Sequence, residues 1–451
     1  MAVFKQRKKL QLTGLAKEVL EDWRSNDTFK KSVAQREGAK TFVFYEGPPS
    51  SNGLPGIHHV MARTIKDVFC RYKTLKGFQV NRKAGWDTHG LPVELGVEKE
   101  LGITKEDIGK SITVEEYNEA CKKAVMRYTD VWNDLTHKMG YWVDTQDPYI
   151  TYENKYIESV WWLLKQAYEK KLIYKGYTIQ PYSPMAGTGL SSHELNQPGC
   201  YKNVKDTSIT AQFLLEKKDA SVFNGAENVF LLAWTTTPWT LPSNTALAVN
   251  KSVTYVAVET FNLYTNKKIV VVLAKELLKK VFSSPYIEES ELSNDKKHVK
   301  YKVVKEFKGS RIIGLRYKQL LPIVSPAENA EKAFRVIHGD FVSTEDGTGI
   351  VHIAPTFGAD DARVAKESNV PPMLVKDKDG ELVPLVNLKG AFIEGLGDLS
   401  GKFVKNSFYK DGKENRKSVD IEIAIKLKEE NKAFRVEKYE HSYPHCWRTD
   451  K

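Results

Sequence analysis

Thr41-Phe-Val-Phe-Tyr-Glu-Gly-Pro-Pro-Ser-Ser-Asn-Gly-Leu-Pro-Gly-Ile-His-His59 opens with a short β-prone run and closes in a loop of glycines and prolines. From about Ile57 the apolar residues Met61, Ile65, Val68, Phe69 and Tyr72 recur on one helical face, and Gly77 supplies a stop. Phe78 to Arg82 then reads as a second strand, leading into Gly85-Trp-Asp-Thr-His-Gly-Leu-Pro92. Strand, loop, helix and strand in this order define a βαβ unit with parallel strands and a right-handed crossover, so the fold class is α/β. A loop entering a helix N-terminus offers unpaired N–H groups and the positive end of the helix dipole, which suits phosphate. Pro48 and Pro49 stiffen it, Gly47, Gly53 and Gly56 allow close backbone approach, and His58 and His59 stand at its mouth as donors. A turn with helix-capping histidines gives the same pattern.

Working outward, Leu15, Val19 and Trp23 share one face of a short helix before the first strand. Downstream, Thr113-Val-Glu-Glu116 is a capping box, and Ile157, Val160, Trp161 and Leu164 mark another helical face; both helices read as packing elements. After about Gln180 the periodicity changes. Val229-Phe-Leu-Leu-Ala233, Ala246-Leu-Ala-Val249 and Ile269-Val-Val-Val-Leu273 are strand-like, and a separate β-rich domain is expected over roughly 195–395. Within it, Ser283 to His298 is polar and reads as a surface loop. No repeat at solenoid spacing is present.

At 451 residues the chain exceeds one compact core, and 41% hydrophobic with 28% charged residues argues against disorder. The net charge of +11 favours polyanionic partners, although a moderately basic cytosolic surface explains it equally. Cys70, Cys121, Cys200 and Cys446 include no closely spaced pair, which fits a reduced compartment. Met1 to Leu12 is basic but lacks a signal-peptide core, and no run nears the roughly 20 apolar residues of a membrane span. A cytoplasmic location without membrane attachment is expected.

A second constellation lies in the β-rich region. Trp234-Thr-Thr-Thr-Pro-Trp-Thr-Leu-Pro-Ser-Asn244 sets three hydroxyls beside a rigid turn, and Gly347-Thr-Gly-Ile-Val-His-Ile-Ala-Pro-Thr-Phe-Gly-Ala-Asp-Asp361 follows far along the chain. Neither is a Ser-His-Asp elbow, and a threonine run alone is more often a strand face.

Gly47-Pro-Pro49 with Asn52-Gly53 and the histidines, followed by Gly85-Trp-Asp-x-His-Gly-Leu-Pro92, is similar to the opening of the class I isoleucyl-tRNA synthetases; the threonine and Asp361 motifs resemble their inserted editing domain. The resemblance runs from Gly14 to Trp447. It implies the N-terminal half of a Rossmann-like catalytic domain with an inserted β-rich editing domain. The corresponding parts are a helical extension at 1–40, the first half-domain with the start of the insertion at 41–194, the editing domain at 195–395, and a return segment at 396–451. The implied partners are isoleucine, ATP with Mg2+, and tRNA(Ile), handled by a monomer. Gly47, Asn52, Gly53, Gly56, His58 and His59 would hold ATP; Asp87 would pair with the amino acid's ammonium, with Pro48, Trp86, His89 and Gly90 around it. For Trp86, plain core packing reads as well as ligand contact.

In the editing domain, Asp361 rather than Asp360 would anchor the misattached amino acid's ammonium. Thr235, Thr236, Thr237 and Asn244 would surround the terminal adenosine and attacking water, and His352 would limit the side chain admitted. Such a second sieve answers a general limit: one missing methylene is too small a difference for a hydrophobic pocket to reject valine, the pair of amino acids being the standard illustration.

Two departures stand out. The family's His-x-Gly-His is Gly56-Ile57-His58-His59 here, so His58 is expected to substitute from the neighbouring position, with altered geometry for adenylate mimics. Many relatives bind zinc through two Cys-x-x-Cys knuckles, but the matching positions are Ser183, Ala186, Cys446 and Thr449, so no structural zinc is expected. No Lys-Met-Ser-Lys-Ser-like loop occurs, and the chain alone should edit better than it charges. A free-standing hydrolase of mischarged tRNA and a non-catalytic tRNA-binding paralogue are the alternative readings.

Overall fold

The β-branched and aromatic run from Thr41 favours an extended backbone. In the computed structural model two helices, α1 (Leu12–Ser25) and α2 (Thr28–Ala34), precede β1 (Thr41–Tyr45), and α3 (Ile57–Leu75) carries the chain to β2 (Gln79–Trp86). β1 and β2 pair in parallel from Thr41 opposite Gln79 to Tyr45 opposite Lys83. After α4 (Leu91–Leu101), α5 (Val114–Val125) and α6 (Thr129–Lys138), β3 (Asp144–Ile150) joins the other edge of β2, again in parallel. α7 (Asn154–Glu169) follows. The expected βαβ unit is present, and the Thr113 capping box forms: its Oγ1 accepts from Glu116 N at 3.1 Å, while Glu116 Oε2 accepts from Thr113 N at 3.0 Å. Described residues are 9, 11–176, 178–223, 226–289, 298–409 and 416–451, so most of the basic N-terminal stretch lies outside them. They fall into two compact units divided at Lys175/Gly176.

The first unit has a small core of Ala84, Tyr141 and Val143. The apolar stripe of α3 does not join it: Met61, Ile65, Val68, Phe69 and Tyr72 are all exposed, Phe69 at 64%. Val43 and Tyr45 on β1, and Trp161 and Leu164 on α7, are exposed too, which corrects the expectation that α7 packs. Periodicity fixes which side of a helix is apolar but not what lies against it. By contrast α5 buries Tyr117 and Val125.

The second unit begins with a hairpin of β4 (Tyr182–Ser183) and β5 (Thr188–Gly189), then α8 (Ser192–Leu195). Its strands are β6 (Tyr201–Leu214), β7 (Val229–Thr235), β8 (Ala246–Val249), β9 (Thr254–Phe261), β10 (Lys268–Ala274), β11 (Tyr286–Glu288), β12 (Val299–Lys308), β13 (Arg335–His338), β14 (Ile350–Ile353), β15 (Leu374–Lys376), β16 (Leu382–Pro384) and β17 (Ala433–Pro444). Between them lie α9 (Lys217–Ala220), α10 (Leu278–Val281), α11 (Ala359–Glu367) and α12 (Val419–Glu429). One seven-stranded sheet has the order β11-β12-β9-β10-β7-β6-β17, a second the order β13-β8-β14, and β15 pairs β16. β8, most of β10 and Val229–Ala233 of β7 are continuously buried, as apolar strands covered on both faces are. The core they share includes Phe213, Tyr255, Tyr317 and Phe434.

Three boundaries differ from the sequence reading. The division at 175/176 sends 176–194 to the β-rich unit. The stretch 396–451, expected to return to the first domain, supplies α12 and β17 to this unit, because β17 pairs with β6 along its length. Of the loop expected at 283–298, residues 290–297 lie outside the described ones, and Tyr286–Glu288 is a strand paired in parallel with β12.

Ser183, Cys446 and Thr449 do come together. Ala186 N donates to Ser183 Oγ at 3.2 Å, and Thr449 N to the Cys446 carbonyl at 3.2 Å. Burial pushes the Cys446 thiol up, but hydrogen bonds with Ser183, Arg448 and Thr449 outweigh it and hold the thiol below its ordinary value. Among the described residues no group of three or more His, Cys, Asp or Glu could hold a metal ion, and no helix is long and apolar enough to cross a membrane.

Candidate active sites

β1 and β2 lie side by side, so the loops at 46–56 and 87–90 leave from neighbouring strand ends, where parallel sheets bind ligands. Backbone joins them: Asp87 N donates to the Pro49 carbonyl at 3.0 Å, and Asp87 Oδ1 accepts from His89 N at 3.3 Å. Thr151 steadies the second loop, its Oγ1 accepting from Thr88 N at 2.9 Å and lying 3.2 Å from His89 Nδ1. Trp86 is buried at 6% exposure, which favours its packing reading.

Glu46 starts the first loop and is itself buried. Its carboxylate takes Lys66 Nζ at 2.6 Å and the Tyr141 hydroxyl, while the Tyr149 hydroxyl donates to its carbonyl. The Tyr149 ring occupies the side-chain space of residue 85, where a Cβ would meet it at 2.3 Å, so only glycine fits. Ser51 Oγ donates to the Val125 carbonyl at 2.6 Å, and Trp132 Nε1 to that of Gly53 at 2.9 Å. Both ends of the loop are therefore fixed.

At the mouth of α3, Gly56 N donates to His59 Nδ1 at 2.9 Å. An accepting Nδ1 leaves the proton of a neutral ring on Nε2. Burial, then His58 and Arg63, push the His59 pKa down, so the neutral form is favoured. The rings of His58 and His59 are 3.8 Å apart, and His59 meets the Trp132 edge at 4.7 Å. A Cβ at position 56 would come within 2.8 Å of His58 Cε1. Any side chain at 56 would therefore require the present His58 ring to move.

In the second unit Thr235 ends β7. Its Oγ1 accepts from Thr237 N at 3.1 Å and lies 3.1 Å from Thr237 Oγ1; Pro238 then opens a 3₁₀ helix, Pro238–Ser243. Asn244 Nδ2 lies 3.0 Å from His352 Nδ1, and His352 Nε2 lies 2.9 Å from Thr240 Oγ1, which donates to the Thr237 carbonyl at 2.8 Å. An amide nitrogen can only donate, so His352 Nδ1 accepts and Nε2–H donates, giving a one-way chain from Asn244 to Thr237. Burial pushes His352 down to about 4, in keeping with a neutral ring. Tyr317 closes the network, donating to Asn244 Oδ1 at 2.7 Å.

The two motifs lie against each other. β14 pairs with β8, His352 opposite Leu247, and Thr245 N donates to the Ile353 carbonyl at 3.0 Å. The Trp239 ring meets the Phe357 edge at 4.9 Å. Asp361, in the first turn of α11, accepts Ala354 N at 2.8 Å; burial, with Asp360 adding, pushes its pKa up. Asp360 is exposed and lies 3.6 Å from Arg363, so the two carboxylates stand in different surroundings. Asn244 and His352 are placed differently: at 2% and 8% exposure, with their polar atoms bound to each other, they brace the threonine turn from beneath. The sequence reading missed Thr240, visible inside the same motif, and Tyr317 and Asp420, which no motif marks. Asp420 Oδ1 accepts Trp239 N at 2.9 Å.

Strand-end loops meeting at a histidine-capped helix, and a β-rich unit in which the threonine turn and the Asp361 loop lie against each other, agree with a match of residues 18–370 to the model for class I tRNA synthetases (I, L, M and V); the chain belongs to that family. Within it the chain is similar to isoleucine–tRNA ligases. It is 59% identical to that of Cytophaga hutchinsonii over 98% of this chain and 40% of the relative, and 58% identical to that of Porphyromonas gingivalis over 99% and 41%. The enzyme of Clostridium tetani is 45% identical over 97% and 37%. The chain thus spans about two fifths of the length of these relatives.

Proposed function

We propose that these residues form part of an isoleucine–tRNA ligase that works in the cytoplasm. Its partners are isoleucine, ATP as its Mg2+ complex, and tRNA(Ile). The first unit supplies one wall of the adenylate site: Asp87 receives the amino acid's ammonium, and His59, neutral with Nε2–H directed away from the helix cap, donates to phosphate with His58 beside it. Gly47, Asn52, Gly53 and Gly56 give the loop its close approach, and Pro48, His89 and Gly90 border the amino acid. The exposed faces of β1 and α3 are where further parts of the nucleotide fold would pack.

The second unit hydrolyses Val-tRNA(Ile). The observation carrying this reading is a half-buried carboxylate, Asp361, with no ion pair among the described residues, on a helix whose preceding loop packs through Phe357 against Trp239, next to the turn where the hydroxyls of Thr235 and Thr237 meet. A substrate ammonium supplies the counter-charge that burial otherwise denies it. The threonines hold the terminal ribose and a water in line with the ester carbonyl, and hydrolysis proceeds without a covalent enzyme intermediate. Asn244 and His352 act through the turn they brace. Because the second unit has its own closed core, the 451-residue chain is expected to deacylate Val-tRNA(Ile) while failing at isoleucine-dependent pyrophosphate exchange. Exchange without deacylation would overturn this reading.

A further inference from the structure

Behind the threonine turn lies a buried carboxylate at the head of a half-buried chain of charges that the mechanism above does not use. Asp420, the second residue of α12, is 4% exposed. Oδ1 accepts the Trp239 N–H at 2.9 Å, and Oδ2 lies 3.7 Å from Lys405 Nζ. Lys405 also reaches Asp206 of β6 at 3.0 Å and lies 5.2 Å from the centre of the Tyr443 ring; Asp206 in turn meets His441 Nε2 at 3.3 Å. Glu422, two residues on in α12, is paired with Lys402 at 2.7 Å. The chain thus runs from His441 on β17 to the backbone of the residue that follows Thr237-Pro238.

A neutral acceptor is enough to hold an N–H. Thr113, Ser191 and Ser418 do so at the starts of α5, α8 and α12. Burying a carboxylate for the same purpose carries a desolvation penalty that Lys405 only partly offsets, and buried ion pairs are weak sources of stability. What the charge adds is a stronger, charge-assisted hydrogen bond at one place. That place matters, because Trp239 joins both halves of the site. Its chain neighbours are the Thr237-Pro238 turn and Thr240, the hydroxyl bound to His352, and its ring meets Phe357 in the loop whose Ala354 N–H holds Asp361.

Resting on the reading that this unit hydrolyses mischarged tRNA, we propose that Asp420 is a positioning residue of the hydrolytic site: its ionised carboxylate, held by Lys405, sets the threonine turn against the Asp361 loop. Burial pushes Asp420 up to about 6, with Lys405 pulling it back. Protonation below that value turns the charge-assisted bond to Trp239 into a neutral one and loosens the turn.

The test measures Val-tRNA(Ile) deacylation by the 451-residue chain across pH 5 to 8, as kcat and KM separately, for the unsubstituted protein, Asp420→Asn and Lys405→Met. Asparagine keeps an acceptor of the same shape without the charge. The expected result is a kcat lowered about tenfold near neutral pH with KM unchanged, and loss of the acid limb near pH 6. In Lys405→Met the acid limb moves to higher pH, because the cation that lowers the Asp420 pKa is gone. This second variant decides the matter if Asp420→Asn does not fold. An unchanged kcat and acid limb in Asp420→Asn, or an unmoved limb in Lys405→Met, overturns the proposal. If the unsubstituted chain does not hydrolyse Val-tRNA(Ile), the parent reading itself fails.

Discussion

His59 and His352 are built by the same rule and left with different duties. Each ring lies in surroundings that disfavour its cation, and each accepts at Nδ1, from Gly56 N in one unit and from Asn244 Nδ2 in the other. Among the described residues His59 Nε2 has no hydrogen-bond partner, whereas His352 Nε2 is bound to Thr240. A neutral imidazole has one N–H to give. Left free it can act on a ligand, and once committed it can only hold structure. The units differ in the same sense: the first exposes the apolar faces of β1 and α3, while the second closes its core around β6, β7, β9 and β10.

The contrast in cores predicts the largest effect. Leu231→Ala, at a site with 0% exposure in β7, should cost about 2–5 kcal/mol in denaturant unfolding of the second unit. Phe69→Ser on α3 should stay within about 0.5 kcal/mol for the first. A large loss at Phe69 would show that its face is covered after all. Next, Asp361→Ala should lower Val-tRNA deacylation about 100-fold, with Asp360→Ala near the unsubstituted rate, as single-turnover hydrolysis would show. Equal losses would erase the distinction drawn from their burial. The two histidines come third. His352→Ala should destabilise its unit by about 1–3 kcal/mol by breaking the chain from Asn244 to Thr240, and His59→Ala by about 1 kcal/mol through its cap alone, both read from urea melts.

The smallest effect is in pH dependence. His352 falls to about 4 from an ordinary 6.5, so the folded state binds fewer protons than the unfolded one between these values. Its contribution is complete above about 6.5 and is lost as pH falls. Asp420, raised from 3.8 to about 6, has the opposite sign: the folded state binds more protons, and stability falls as pH rises through that range. Asp361 is also raised and acts in the same direction as Asp420. Asp420→Asn should therefore expose the slope from His352, with the melting temperature dropping more steeply from pH 6.5 to 4 than in the unsubstituted chain.

Local signals carried most of the fold. Continuous apolar runs marked β7, β8 and β10, and turn chemistry with helical spacing marked the βαβ unit. Asp361 was separable from Asp360 through the family motif, and the structure gives the physical distinction of one half-buried carboxylate and one exposed. Long-range pairing was not visible. Nothing in Ala433–Pro444 announces that it belongs beside Tyr201–Leu214, more than two hundred positions earlier, so the last segment read as a connector. Asp420 was hidden for another reason: an acid in the first turn after Ser418 looks like an ordinary complement to a helix dipole, and only the packing of α12 on Pro238–Ser243 brings it to the threonine turn.

The β6–β17 ladder has one more implication. It starts with Tyr201 opposite Pro444, and His445 N donates to the Cys200 carbonyl at 2.7 Å, so the polypeptide comes in and goes out through adjacent doors about 5 Å apart. A host loop of ordinary length could accept residues 200–445 as a graft with little distortion, since closely spaced ends are what makes a module transplantable.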